Sequence, residues 1–206
     1  MTNAALAPRI GVLALQGAFD AHVAMFRRLD VEAVCVRTLD QLAHVDAMVF
    51  PGGESSTMSM LLESSGLFDA VNARLHDGMP AFGTCAGLIL LASTVLDGRT
   101  DQRFFGAIDI AARRNGYGRQ IDSFEQSIPV AGFGEPEFPV VFIRAPIVDS
   151  VGPDVDVLAS LNGHPALCRQ GNVLVAAFHP ELTGDVRIHQ LFLRHVHAHI
   201  AATHRQ

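Results

Sequence analysis

The sequence predicts an α/β fold in which a mostly parallel sheet is covered by helices on both faces and continued by antiparallel strands. Three observations carry that reading. Short, wholly apolar runs alternate with segments of helical spacing through the first half of the chain. Such runs suit strands buried on both faces. In the second half the apolar runs are separated by Gly, Pro and Asp with little room for helices, which fits hairpins better than further βαβ units.

In chain order, Ile10 to Leu15 is the first strand, and Gln16-Gly17 ends it. Phe19 to Leu29 follows as a helix whose apolar positions include Phe19, Val23, Phe26 and Leu29. Ala33 to Val36 and Ala47 to Phe50 are the second and third strands. The third runs into Pro51-Gly52-Gly53-Glu54-Ser55-Ser56-Thr57, then a helical Met58 to Leu62. A diglycine between strand and helix permits main-chain conformations closed to other residues and frees backbone N–H groups to face an anion or oxyanion. An ordinary turn with a Ser N-cap explains the same residues. Leu67 to Leu75 is a further helix, ended by Gly78 and Pro80.

Pro80 to Leu91 is the stretch around which the chain is organised. It reads as a short buried strand, a turn and an apolar helix that closes near Gly98. Gly83-Thr84-Cys85-Ala86-Gly87 has the spacing of a nucleophile elbow, with Cys in the nucleophile position. The flanking glycines allow the tight turn and remove Cβ atoms that would collide with neighbouring backbone. A buried structural thiol is the competing reading for Cys85. Cys35 and Cys168 lie in strand-like runs and read as core fillers.

Beyond Gly98, strands are expected at Ala107–Ala111, Ser127–Val130, Pro139–Ile143, Val155–Leu158, Leu167–Arg169 and Val173–Phe178. Arg144 directly follows an apolar strand. It is thereby at the sheet edge where parallel α/β folds bind ligands, and bidentate pairing to a carboxylate suits it. His179-Pro180-Glu181 ends the last strand. In extended backbone, positions i and i+2 face the same side, so Glu181 is expected to orient the imidazole of His179. Together with an elbow Cys, this pair supplies a base and the group that orients it. An amphipathic helix from Val186 closes the chain. His195 and His199 fall one turn apart on it, and a solvated face is the preferred reading over a metal pair.

Composition narrows the chemistry. The 206 residues carry a net charge of −6, which argues against nucleic acid or an anionic membrane as partner. All 15 basic residues are Arg, so no lysine Schiff base or P-loop lysine is available. Three cysteines without C-x-x-C spacing speak against a disulfide framework or zinc site, and no cofactor or metal is expected. The first residues lack the basic leader and apolar run of a signal peptide, and no stretch approaches the ~18 apolar residues of a membrane span. A cytoplasmic protein of one domain over residues 1–206 is expected.

Cys85 followed by His179-Pro180-Glu181 resembles the class I, or triad, glutamine amidotransferases. Further blocks narrow the match: Leu15-Gln16-Gly17-Ala18, Pro51-Gly52-Gly53-Glu54-Ser55, Arg114-Asn115, Gly118-Arg119-Gln120, Asp122-Ser123-Phe124-Glu125 and Phe142-Ile143-Arg144-Ala145-Pro146. With Phe82 to Gly87 and Phe178 to Leu182, these are similar to the glutaminase subunits of pyridoxal 5′-phosphate synthase. Tyr117 and Ser56 are minor departures, and a short extension precedes Arg9.

The resemblance implies a three-layer, flavodoxin-like sandwich. Cys85 would be the nucleophile, completed by His179 and Glu181. L-Glutamine would be bound through Gly52, Gly53, Glu54, Arg114, Ile143 and Arg144, and Gln16 and Gly17 would lie against a synthase subunit that receives the ammonia. Backbone N–H groups of Ala86 and the Gly52-Gly53 segment, Gly53 in particular, are the expected oxyanion donors. The absence of Lys agrees, because imine chemistry must then occur on the other chain. A thiol peptidase of the same broad architecture accounts for Cys85 and His179 but leaves the diglycine, Arg114 and Arg144 without a task. A non-catalytic binding subunit would leave the triad itself unexplained.

Overall fold

The computed structural model describes residues 7–114 and 123–203. Asn115, Tyr117, Gly118, Arg119, Gln120, Asp122 and the extension before residue 7 lie outside the described residues.

The apolar runs of the first half form the parallel strands expected of them. They are β1 (Arg9–Leu13), β2 (Glu32–Val36), β3 (Ala47–Phe50) and β4 (Ala81–Thr84), joined near the chain end by β12 (Val173–Ala176). All pair in parallel in the order β12-β4-β3-β1-β2. Two antiparallel strands, β11 (His164–Gln170) and β10 (Asp156–Leu161), extend the sheet beyond β12. Every residue of β3, β4 and β12 is buried, as strands covered on both faces require.

The two-residue period of β4 shows which helices cover which face. Phe82 and Thr84 meet α1 (Phe19–Arg27) and α6 (Arg187–Thr203): Phe82 packs edge-on against His22 and His189, and Thr84 Oγ1 lies 3.1 Å from His22. Gly83 faces the other way, against α5 (Ala86–Leu91). On that second face α3 (Ser55–Ser64) and α4 (Leu67–His76) join α5, with Phe68 stacked on Phe105. The arrangement is a three-layer α/β sandwich.

The structure departs from the expectations at several elements. The helix after the elbow does not run to Gly98 but stops at Leu91, and β5 (Ala92–Val95) follows. The carbonyls of Leu90 and Leu91 are taken by the N–H groups of Phe105 and Ala107 rather than by a further helical turn. Ser93, Thr94 and Val95 are also poor helix formers beside a strand partner. β5 pairs with β6 (Ile108–Arg113), and β6 with β9 (Ile147–Val151), in a separate three-stranded sheet; β9 escaped the sequence reading. So did the short α2 (Leu39–Ala43), whose N-cap Thr38 accepts from the Gln41 N–H.

β7 (Ser123–Ile128) and β8 (Phe138–Ile143) form an antiparallel hairpin; β8 matches the expected Pro139–Ile143, but β7 begins four residues before the expected Ser127–Val130 and shares only Ser127 and Ile128 with it. Finally, α1 turns His22, Met25 and Phe26 inward, leaving Phe19, Val23 and Leu29 only partly covered. Among the described residues no helix is long and apolar enough to cross a membrane.

Candidate active site

Cys85 stands between β4 and α5 with φ 51° and ψ −104°, a conformation that L-residues avoid and that turns of this type hold. Its backbone is tied down by bonds from its N–H to Ala176 O and from the Ile89 N–H to its carbonyl. The glycines on either side have steric reasons to be there. A Cβ on Gly87 would sit 1.9 Å from the carbonyl oxygen of Phe50, and one on Gly83 would sit 2.6 Å from the backbone of Gly87.

His179 follows β12, and its N–H donates to Val141 O on β8. Its Nδ1 is 2.7 Å from Glu181 Oε1, and the side chain of Cys85 is its other partner. The reason for the pairing differs from the one expected. Pro180 to Leu182 form a single 3₁₀ turn, not extended chain, and the turn brings the carboxylate back to the ring. Burial disfavours a charge on His179, but hydrogen bonds to Cys85 and Glu181 and the charges of both outweigh it and raise its pKa to about 10. Glu181 is also buried; His22 and His179 overcome that burial and hold its carboxyl below the usual range.

A cavity of about 400 Å³ opens over Cys85, and every sequence-predicted site residue except Glu181 lines it. Glu181 is behind the ring of His179. Gly52 lies so close to that ring that a Cβ would be 2.2 Å from Cε1. The carbonyl of Ile143 lies 4.0 Å from the Cys85 sulfur. Arg144 projects from the end of β8 at φ 42°, exposed, and among the described residues its guanidinium has no ion-pair partner.

Glu54, not a serine, caps α3. Its carboxylate accepts from the N–H groups of Ser56 and Thr57, the Thr57 hydroxyl and Arg114 Nη2 at 2.6 Å. Partial burial opposes its charge, but the bonds from Thr57 and Ser56 win and lower its pKa to about 2. Gln16 joins the same loop, its Oε1 accepting from the Glu54 N–H at 3.0 Å.

The other cysteines are set apart. Cys168 is fully buried, and burial pushes its thiol up to about 12; Cys35 is half-buried in β2. No cluster of three or more His, Cys, Asp or Glu side chains among the described residues could hold a metal ion. His195 and His199 do not form a solvated face: they are half-buried and lie against Arg169 and Asn172.

Two histidines escaped the sequence reading. His22 on α1 and His189 on α6 are fully buried and in contact through Nδ1 and Nε2 at 3.1 Å. The available signal was a polar residue on each helix's apolar face, three residues from Phe19 and Phe192 respectively. Burial lowers the pKa of both below 6.5, most strongly for His189, where the charges of His22 and Arg28 add to the effect. The unfolded chain takes up protons near pH 6.5 and the folded chain does not, so stability is lost as pH falls through that value. Thermal melts should show Tm dropping as pH falls from about 6.5 to 5.5, below the range in which the raised pKa of His179 acts in the opposite direction, with each of the two buried groups contributing up to about 1.4 kcal/mol per pH unit. His189→Leu should flatten that slope; an unchanged slope would place the proton uptake elsewhere.

This architecture, with an elbow Cys facing a His–Glu pair at the carboxyl edge of the sheet, is that of the class I glutamine amidotransferases. The chain belongs to the SNO glutamine amidotransferase family, whose sequence profile matches residues 12–198. It is 53% identical over 190 residues to the pyridoxal 5′-phosphate synthase subunit PdxT of Mycolicibacterium vanbaalenii, covering 91% of this chain and 97% of that one. The PdxT subunit of Mycobacteroides abscessus is 52% identical over 193 residues, covering 94% of this chain and all of the relative. A solved glutamine amidotransferase crystal structure superposes with a TM-score of 0.85 at 44% identity, covering 91% of this chain and 98% of that one. PurLQS from Thermotoga maritima, at 16% identity and a TM-score of 0.61, shares the fold alone.

Proposed function

We propose that this chain, as a single glutamine amidotransferase domain, is the glutaminase subunit of a pyridoxal 5′-phosphate synthase. It would hydrolyse L-glutamine and pass the ammonia to a synthase subunit in the cytoplasm. The observation that carries this reading is the meeting of Cys85 with the His179–Glu181 pair in a cavity that also presents Arg144, which has no ion-pair partner among the described residues. The relatives, which are subunits of pyridoxal 5′-phosphate synthase, supply the assembly.

In this reading the Cys85 sulfur attacks the side-chain amide carbon of glutamine, and the carbonyl oxygen becomes an oxyanion. The N–H groups of Ala86 and Gly53, both lining the cavity, are the donors for it. His179, which the site keeps protonated, gives its proton to the departing nitrogen, and ammonia leaves a γ-glutamyl thioester. His179 then takes a proton from water, whose oxygen attacks the thioester carbon. The carbon–sulfur bond then breaks, glutamate is released, and the Cys85 sulfur is freed beside a protonated His179.

The substrate is a zwitterion, and the cavity offers opposite charges in Glu54 and the arginines Arg114 and Arg144. Arg144→Ala should raise KM for glutamine roughly tenfold with little change in kcat, because the lost contact is common to ground and transition states. Steady-state kinetics with an unchanged KM would remove Arg144 from substrate binding.

Contacts between loops support control by a partner. The Ala18 N–H donates to the Gly52 carbonyl at 3.0 Å, and a Cβ on Gly17 would sit 2.0 Å from that same oxygen. A subunit bearing on Gln16 and Gly17 would therefore act directly on the Gly52-Gly53 peptide that aims an oxyanion donor. Ammonia release from glutamine should be low for the isolated chain, rise at least about tenfold with the synthase subunit, and vanish after alkylation of Cys85. Glutamine left intact in the presence of the synthase subunit would overturn the proposal.

A further inference from the structure

Behind the triad, the buried carboxylate of Glu181 has an oxygen that the His179 pairing does not use. Oε1 takes the bond from His179, while Oε2 is buried and among the described residues has no hydrogen-bond partner at normal distance. His22 faces it, with Nε2 3.5 Å away and also 3.1 Å from Thr84 Oγ1. His22 Nδ1 in turn meets His189 Nε2, and His189 Nδ1 is buried with no hydrogen-bond partner among the described residues.

These contacts decide between the two neutral arrangements of the pair. If His22 carried its proton on Nδ1, it would donate to His189 Nε2. The proton of His189 would then be on Nδ1, an N–H buried with nothing to receive it, and a ring lone pair would face the ionised Glu181. In the opposite arrangement His189 donates from Nε2 to His22 Nδ1. His22 then donates from Nε2 toward Thr84 and Glu181, and the only orphan is a ring lone pair. An orphaned buried donor together with a lone pair against a carboxylate is the more costly combination.

We infer that His22 and His189 are positioning residues for the triad, with His189 fixing the proton of His22 on Nε2 and that N–H steadying Oε2 of Glu181. The carboxylate thus faces an imidazole N–H at each oxygen, Oε1 in a 2.7 Å hydrogen bond with His179 and Oε2 in a longer, electrostatic contact of 3.5 Å with His22. Without the second contact Glu181 is free to turn, and His179 loses the partner that aims its Nε2 at Cys85. The kinetic part of this inference rests on the glutaminase reading above; the proton arrangement does not.

The test has two arms. Long-range ¹H–¹⁵N correlation spectra of the histidine-labelled wild-type chain near neutral pH, assigned with His22→Gln and His189→Gln, report which ring nitrogens carry protons. Protonated Nε2 and bare Nδ1 on both rings are expected; a proton on His22 Nδ1 overturns the inference. In the second arm glutaminase activity is measured with the synthase subunit present. His22→Leu should lower kcat about 10–100-fold and change KM less than about twofold, and His22→Gln, which keeps an amide N–H, should recover most of the loss. His189→Leu should show a smaller loss in kcat that His189→Gln recovers. Equal impairment of the Leu and Gln variants, or KM rising in step with the loss of kcat, would reduce His22 to a packing residue and overturn the inference. Should wild type itself leave glutamine untouched, the functional reading fails, and the proton positions alone decide the pair.

Discussion

Replacing Cys85 with alanine should lower glutamine hydrolysis by on the order of 10⁴- to 10⁶-fold while leaving the fold intact. The size follows from the cooperative nature of such sites: without the nucleophile, His179 and Glu181 have no covalent chemistry to assist, and loss of one member costs nearly as much as loss of all. The fold should persist because the sulfur is at a cavity wall and the backbone bonds from the Cys85 N–H and carbonyl do not involve it. Neither other cysteine can substitute, Cys168 being enclosed in β11 and Cys35 lying in β2. Coupled measurement of glutamate release, with circular dichroism on the same sample, checks both halves. Retained ammonia production by a folded Cys85→Ala chain would sink the thioester mechanism.

Gly87→Ala should destabilise the protein by about 3 kcal/mol or more, a fall in Tm of roughly 6–12 °C for a chain of this size. The added methyl would meet the carbonyl oxygen of Phe50 at 1.9 Å and its carbon at 2.7 Å. Both are main-chain atoms of a strand held in register with β4, with Phe50 opposite Gly83, so no flexible side chain is available to yield. Either β3 or α5 must move, and α5 carries the elbow; activity should therefore fall with stability. Gly184→Ala, where a Cβ meets nothing within 4 Å, is the control and should stay within about 0.5 kcal/mol of wild type. Equal melting temperatures for the two variants would show that β3 and α5 have slack at their closest approach.

Where the sequence pattern was dense, it was sufficient. Apolar runs such as Ala47–Phe50 and Val173–Ala176 can only be strands covered on both sides, and they form the centre of the sheet. The elbow was legible because its glycines are demanded by local backbone approach. His179 and Glu181 were legible as a pair, although a 3₁₀ turn rather than extended chain brings them together. The end of α5 is hidden in the sequence because no Gly or Pro stands between Leu91 and Gly98, and the N–H groups arriving from Phe105 and Ala107 take the carbonyls that a further turn would use.

Composition and spacing by themselves determined the layered α/β class, the elbow and its thiol, and the arginine-only chemistry of this chain, since each depends on residues close together in the sequence or on residue types absent altogether. Tertiary structure alone decided what stands behind the reactive groups. His22 and His189 are 167 positions apart, and each looks like an ordinary residue on a helix face until α1 and α6 pack on the same side of β4. The same holds for Glu54, which the sequence presents as a loop carboxylate and the fold turns into a helix cap with Arg114 as partner. Local chemistry is written in neighbouring residues, but the partner of a buried polar group is whichever residue the core brings to it, and burial makes that partner obligatory.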